Sequence, residues 1–400
     1  MSRAPLARGL FALLVALSGA CLGCSTLGTK GGEPEGLPHN GTGPYRDLDP
    51  DETMVRTPRS AALSLTNESM DTAMVARDGS LFYGSAELLP AMRPDAGMPD
   101  ATMGMPDDAG PDDAAAPSDA FVPNDAGAPD AGPPGPVRFA APDWTQHRAR
   151  RISRSPARIG NPGFDRGTVV LEASQPWEGG WVSDPWAVIR DDGSVLLYYA
   201  AAGGIGVATA ASVAGPYTVQ SAPLIAASAE GVPRRPSVIE THLLTGASHA
   251  LLMYFELEGR IVAAGSSDGR SFETIGPVLD PVRDAMPARD DRDGEEVGTG
   301  GPGALVVTSP AGRSFVRLYY ESRRSNGNTL ITLAASGDGA TFETFGRPVV
   351  EERNRRFPAS FEIDDRTSLL YQWGPGGIRP NQGTLLVGIA PGGVRLAPEE

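Results

Sequence analysis

Four times in this chain a proline leads a short apolar strand: Ser183-Asp184-Pro185-Trp186, Arg234-Arg235-Pro236-Ser237, Gly300-Gly301-Pro302-Gly303 and Arg356-Phe357-Pro358-Ala359. The prolines are 51, 66 and 56 residues apart. Each is followed by an aromatic-rich strand (LLYYA at 196–200, LLMYFE at 251–256, VRLYYE at 316–321, LLYQW at 369–373), then by a third apolar strand. In two units an Asp-Gly turn and a fourth strand close the pattern, as SSDGRSFET (266–274) and SGDGATFET (336–344). Asp-Gly tolerates positive φ and marks hairpins. Proline suits a strand's first residue, where its missing N–H costs no ladder bond. Four-stranded units repeating every 50 to 65 residues in an all-β chain predict a β-propeller. Four blades are legible, and residues 160–182 (with GTVVLEA) leave strand material to complete a fifth beside the C-terminal one, hiding an exposed edge. A four-bladed ring is the alternative.

The rest of the chain differs in kind. The formal net charge of −15 is concentrated early: up to residue 140 there are 9 Lys+Arg against 19 Asp+Glu. Neither half carries the basic face that nucleic acid requires. Leu10–Leu17 is an apolar run behind Arg3 and Arg8, too short to span a bilayer but suited to a signal-peptide core. The only cysteines, Cys21 and Cys24, follow directly. They resemble the lipid-modified cysteine of a bacterial lipoprotein, although the usual Leu three positions earlier is missing; plain secretion after Ala20 is the alternative. From Pro94 to Pro136 the chain is nearly all Asp, Ala, Gly, Pro and Met, with no Lys or Arg, a composition that cannot offset the entropy of ordering. The expected division is a signal peptide over 1–20, a largely disordered linker over 21–140 and a propeller over 141–400. Residues 63–89 carry an apolar pattern compatible with local folding, without an assigned role.

The stretch DPWAVIRDDGSVLLYYAA…GIGVATAASVAGPY resembles the opening blade of the five-bladed propeller glycoside hydrolases, notably family 43 and its invertase and levansucrase relatives. The resemblance spans most of 160–395. It implies a carbohydrate ligand and gives the Asp of the DP step, here Asp184, the part of catalytic base or nucleophile. Glycoside cleavage needs two carboxyl groups flanking the scissile bond. The family places its acids just before the Pro of successive inner strands, and there this chain has Arg235 and Gly301 where the resemblance implies two further acids.

Antiparallel second strands return to the face from which the first strands leave. That brings Glu256 and Glu321, at the ends of two second strands, towards Asp184 as replacement catalytic groups, with surface carboxylates as the plain alternative. Arg235 is expected to hold a substrate carboxylate or to pair with Asp184. Trp181, Trp186 and Trp373 are candidate sugar platforms, since flat rings offer large area at little entropy cost; core packing is the competing role. Tyr198, Tyr199, Tyr319 and Tyr320 read as packing between blades. Asp290–Glu296 is acidic enough for calcium but lacks a calcium-loop spacing, and the four histidines are scattered. No metal or cofactor is therefore assigned. Arg148, Arg150, Arg151 and Arg154 form a basic run expected at the domain edge. The sequence leaves two readings, a surface glycosidase or a non-catalytic propeller binding glycan or protein, in either case an exported monomer held to a membrane by lipid.

Overall fold

The computed structural model describes residues 46–47, 63–66, 68–88, 147–156, 164–244, 247–281, 294–308, 313–350, 354–363, 366–373 and 382–389. Cys21, Cys24, the expected signal peptide and the acidic residues Asp290–Asp293 lie outside them. The fold is an all-β β-propeller assembled from sheets of four antiparallel strands.

The described strands form five such sheets, two of which carry an extra strand. The chain opens with β1 (Arg46–Asp47) and β2 (Leu63–Thr66). The first full sheet is β3 (Glu68–Val75), β4 (Leu81–Leu88), β5 (His147–Ser155) and β6 (Thr168–Glu172). Next come β7 (Ser183–Ile189), β8 (Val195–Ala201) and β9 (Gly204–Ala210), edged by β10 (Thr218–Val219) and β11 (Ile225–Ala226). The third holds β12 (Arg234–Glu240), β13 (Leu251–Leu257), β14 (Arg260–Ser266) and β15 (Glu273–Leu279). The fourth holds β16 (Glu296–Thr308), β17 (Ser314–Arg324), β18 (Thr329–Ser336) and β19 (Glu343–Pro348). The last, β20 (Arg355–Ile363), β21 (Arg366–Trp373) and β22 (Gln382–Ile389), takes its outer strands from the start of the chain, because β1 and β2 both pair with β22. The two ends of the fold therefore share one sheet, which removes an open edge.

Three expectations change here. Residues 63–88, assigned to the linker by composition, supply β2, β3 and β4, so the propeller begins well before residue 141. The described residues of 160–182 contribute one strand, β6, the outer strand of a sheet whose inner strands come from 68–88. The basic run is no solvent edge either. It lies in β5, between β4 and β6; Arg150 is buried, and Arg154 donates to Ser80 Oγ.

Of the tyrosines expected between sheets, Tyr198 takes that role and Tyr199 stacks on Trp177 and donates to Glu178, while Tyr254, not singled out by the sequence, matches Tyr198. Tyr198 and Tyr254 are fully buried. Each sits on a second strand and donates its hydroxyl to the Asp-Gly turn of the next sheet, Tyr198 to Gly269 O (3.0 Å) and Tyr254 to Gly339 O (2.7 Å). Phe272 and Phe342, just past those turns, meet the same tyrosines edge-on at 5.8 and 5.6 Å. The turns are braced internally. Ser266 Oγ accepts from Gly269 N–H and Ser336 Oγ from Gly339 N–H, both at 2.8 Å. Asp268 and Asp338 accept the two N–H groups that follow. A buried phenol that finds a partner keeps its large apolar area without a desolvation penalty.

Candidate functional site

The repeated prolines mark a bulge inside the strand, where the expectation had them at its first residue. The first strand of each sheet slips register against the second at the same place: Met70/Ala73, Ser183/Trp186, Arg234/Ser237, Gly300/Gly303 and Arg356/Ala359. Two residues fall in each slip, and in four sheets the second is proline, whose missing N–H suits an unpaired position. The first is left-handed at Asp184 (φ 53°), Arg235 (54°), Gly301 (52°) and Phe357 (56°). For residues other than glycine that conformation costs about 1–2 kcal/mol. Backbone strain retained at one repeated place in several sheets points to a site.

In β3 the slip holds Asp71 and Thr72. Asp71 therefore takes the register position of Asp184, Arg235, Gly301 and Phe357, and the sequence reading missed it. A signal was available: Asp71 precedes the Asp78-Gly79 turn much as Asp184 precedes Asp192-Gly193. Thr72 stands where the other units have proline, which hid the unit from a proline-led search. The sheet that opens the propeller is thus the one with Asp71, and the stretch containing Asp184 belongs to the second.

The bulges converge. Thr72, Pro185, Arg235, Pro236, Gly301, Pro302, Phe357 and Pro358 line one small cavity of about 20 Å³, room for roughly one water molecule. Protein groups fill its surroundings. Asp184, 2 % exposed, accepts from Thr72 Oγ1 (3.2 Å) and from Arg234 Nη2 (3.1 Å). The expected partner of Asp184, Arg235, turns instead to Glu256 (2.5 Å). The residue one place earlier makes the Asp184 pair, because a bulge sends successive side chains to different neighbours.

Glu256 and Glu321 do reach this face, as antiparallel return predicts, and they are equivalents. Glu256 lies opposite Arg234 and Glu321 opposite Gly300, each the residue before a bulge. Each also accepts a backbone N–H from the bulge of the next sheet: Gly301 to Glu256 (3.1 Å) and Phe357 to Glu321 (2.9 Å). Arg323 joins them, giving two parallel hydrogen bonds to Glu256 (2.8 and 2.9 Å) and two to Glu321 Oε2 (both 3.1 Å). Burial alone would raise the Glu256 carboxyl, but the charges of Arg235 and Arg323 outweigh it and hold the group well below the ordinary carboxylate range. Glu321, fully buried, is lowered in the same way, with burial overcome by Arg356, Arg323 and Arg235. Both are fixed as carboxylates, which leaves neither a proton to donate near neutrality.

The aromatic candidates separate. Trp186 is packed in the core, its indole N–H given to Val238 O (2.8 Å). Trp181 is half-buried, with the guanidiniums of Arg150 and Arg234 at 5.4 and 5.7 Å from its ring. Trp373 ends β21 opposite Arg355, and its side chain lies outside the described residues. Phe357, which the sequence did not single out, has Arg235 at 4.1 Å and Arg356 at 4.8 Å from its ring centroid. Among the described residues no group of three His, Cys, Asp or Glu is placed to hold a metal ion.

No family model matches the chain, and no curated protein matches it significantly. Solved structures do. BT0996, solved in complex with RGII, superposes with a TM-score of 0.52 at 12% identity, covering 85% of this protein and 94% of that one. The β-1,2-mannobiose phosphorylase from Listeria innocua, solved with β-1,2-mannobiose, gives 0.51 at 12% identity, over 84% and 92%. The shared fold is the β-propeller. The GH43_1 enzyme from Xanthomonas citri complexed with xylotriose matches more loosely, at 0.46 and 16% identity over 82% and 88%. Structural neighbours of this propeller thus include family 43 glycoside hydrolases.

Proposed function

We propose that this protein is an exported, five-bladed propeller that binds carbohydrate at the bulge-lined mouth without hydrolysing it. The observation that carries the non-hydrolytic reading is the pairing of Glu256 with two guanidiniums, Arg235 and Arg323. Glycoside cleavage needs a protonated carboxyl beside a second carboxylate, and Glu256 is held ionised by Arg235 and Arg323. Glu321 repeats the arrangement one sheet on. Their shared geometry gives them a different job, stitching each bulge to the sheet before it.

The carbohydrate reading rests on the mouth itself, where half-buried Trp181 and Phe357 sit among cations and strained backbone. Two solved propellers of this shape are complexes, one of BT0996 with RGII and one of a phosphorylase with β-1,2-mannobiose. Five blades are supported by the contacts of the innermost strands, which run β3, β7, β12, β16, β20 and back to β3. Export and a lipid anchor on Cys21 or Cys24 are supported by the apolar run and its small-residue border, with the Asp- and Pro-rich tract as spacer and one copy as the working unit.

A hydrolytic reading has one observation in its favour: Asp71 and Asp184 hold equal positions on neighbouring inner strands. The two readings are separated by assaying purified protein on arabino-, xylo-, fructo- and manno-oligosaccharides. The binding reading expects saturable binding to a glycan and no release of reducing ends. Turnover that Asp71→Asn or Asp184→Asn abolishes would establish the other.

A further inference from the structure

Two arginines at the mouth carry more hydrogen-bonding capacity than the described residues use. Arg235 is 9 % exposed and lines the small cavity, yet among the described residues it donates from Nη1 to Glu256 while its Nε has no partner. Arg356 approaches Glu321 at 3.8 Å, beyond hydrogen-bond reach, and its Nε is likewise without a partner there. Buried donors of a charged fork are costly to leave unmatched. Both guanidiniums lie close to one ring, Phe357, at 4.1 and 4.8 Å from its centroid.

The local charge also leaves a surplus. Arg323 and Arg235 clamp Glu256, Arg323 and Arg356 face Glu321, and the acid across the cavity, Asp184, is matched by Arg234. Among the described residues around Phe357 this sets three guanidiniums against two carboxylates. The Arg356 guanidinium reflects it: Glu321 favours its charged form, but burial and the like charges of Arg235 and Arg323 prevail and lower its proton affinity. An added anion would relieve that repulsion. Arg356 keeps its side chain 28 % exposed, while Arg235 lines the small cavity beside Phe357.

We infer that Arg235 and Arg356, set against Phe357, form an oxyanion-binding subsite, so that the ligand at the mouth carries a carboxylate or a phosphate. Planar forks match both groups, and the half-buried Phe357 and Trp181 rings give the sugar body an apolar surface. The inference rests on the carbohydrate reading for the sugar, but the anion site stands by itself.

The test is calorimetric titration of the full chain at low salt with glucuronate, galacturonate, inorganic phosphate, and glucose and galactose as neutral counterparts. Arg356→Gln is the variant of choice, since Arg356 makes no hydrogen bond to Glu321; its melting temperature and circular dichroism are compared with wild type to establish that it is folded. The expected result is binding of an acidic sugar or phosphate at least tenfold tighter than the neutral sugars, weakened by salt and weakened at least tenfold in Arg356→Gln. A uronate preference identifies an acidic glycan as the source of the oxyanion; a phosphate preference identifies a phosphorylated or free-phosphate ligand. Equal affinity for acidic and neutral sugars would overturn the inference while leaving glycan binding intact. Phosphate binding with no sugar or oligosaccharide bound would support the subsite and overturn the glycan reading. An Arg356→Gln variant that binds the anion as wild type does would also overturn the inference.

Discussion

Arg323 grips Glu256 through two parallel hydrogen bonds of 2.8 and 2.9 Å, from a strand one sheet further round the ring. The two residues are 67 positions apart in sequence. Bidentate pairs of this kind are the strong ones, and here the same guanidinium also holds Glu321. The mouth of the propeller is therefore tied together by charge, with the backbone N–H groups of Gly301 and Phe357 as further ties.

Removing one partner of such a buried pair leaves uncompensated charge. Glu256→Gln should lower the unfolding free energy by about 3–5 kcal/mol at neutral pH. The pH dependence follows from the direction of the shift. The folded carboxyl lies below its ordinary value of 4.5, so its contribution is complete above about pH 4.5 and is lost as the pH falls below that. Denaturant titrations of wild type and Glu256→Gln at pH 7 and pH 3 should show the gap between them shrinking at pH 3. A gap that stays constant would mean that the carboxylate charge is not what stabilises the mouth.

Tyr198→Phe and Tyr254→Phe each delete one hydroxyl that crosses between sheets and leave a turn carbonyl unmatched. Each should cost about 1–2 kcal/mol. Because the two bonds join different pairs of sheets, the double variant should equal the sum within about 0.5 kcal/mol. Urea midpoints at unchanged slope would check this.

Gly206 faces Trp177 so closely that an added Cβ would stand 2.4 Å from Cη2 and 2.8 Å from Cζ2 of the indole. Gly206→Ala must displace that ring from its stack on Tyr199, at about 1–3 kcal/mol. At Gly337 nothing lies within 4 Å of the same added atom, so Gly337→Ala should be near neutral. Thermal melts with tryptophan emission would separate the two.

Much of the fold was legible because its punctuation is local. Proline at the bulge announces four of the units, an Asp-Gly turn closes two of them, and an aromatic-rich second strand follows each proline. The first sheet stayed hidden for two physical reasons. Thr72 replaces the proline, and a long Asp- and Pro-rich tract divides β4 from β5, so composition spoke for the whole segment. The site was legible in outline only. Antiparallel return correctly carried Glu256 and Glu321 to the face of Asp184. Their partners were not readable, since Arg323 and Glu256 meet across sheets and a bulge decides that Arg234, and not Arg235, turns to Asp184.

Carbohydrate binding without hydrolysis is decided by a paired measurement on one preparation of wild-type protein: reducing-end release and equilibrium binding on the same oligosaccharide panel from pH 4 to 8. Saturable binding to at least one glycan is expected, with no product above the protein-free control at any pH. Product formation that survives purification and disappears in Asp184→Asn or Asp71→Asn would contradict that expectation.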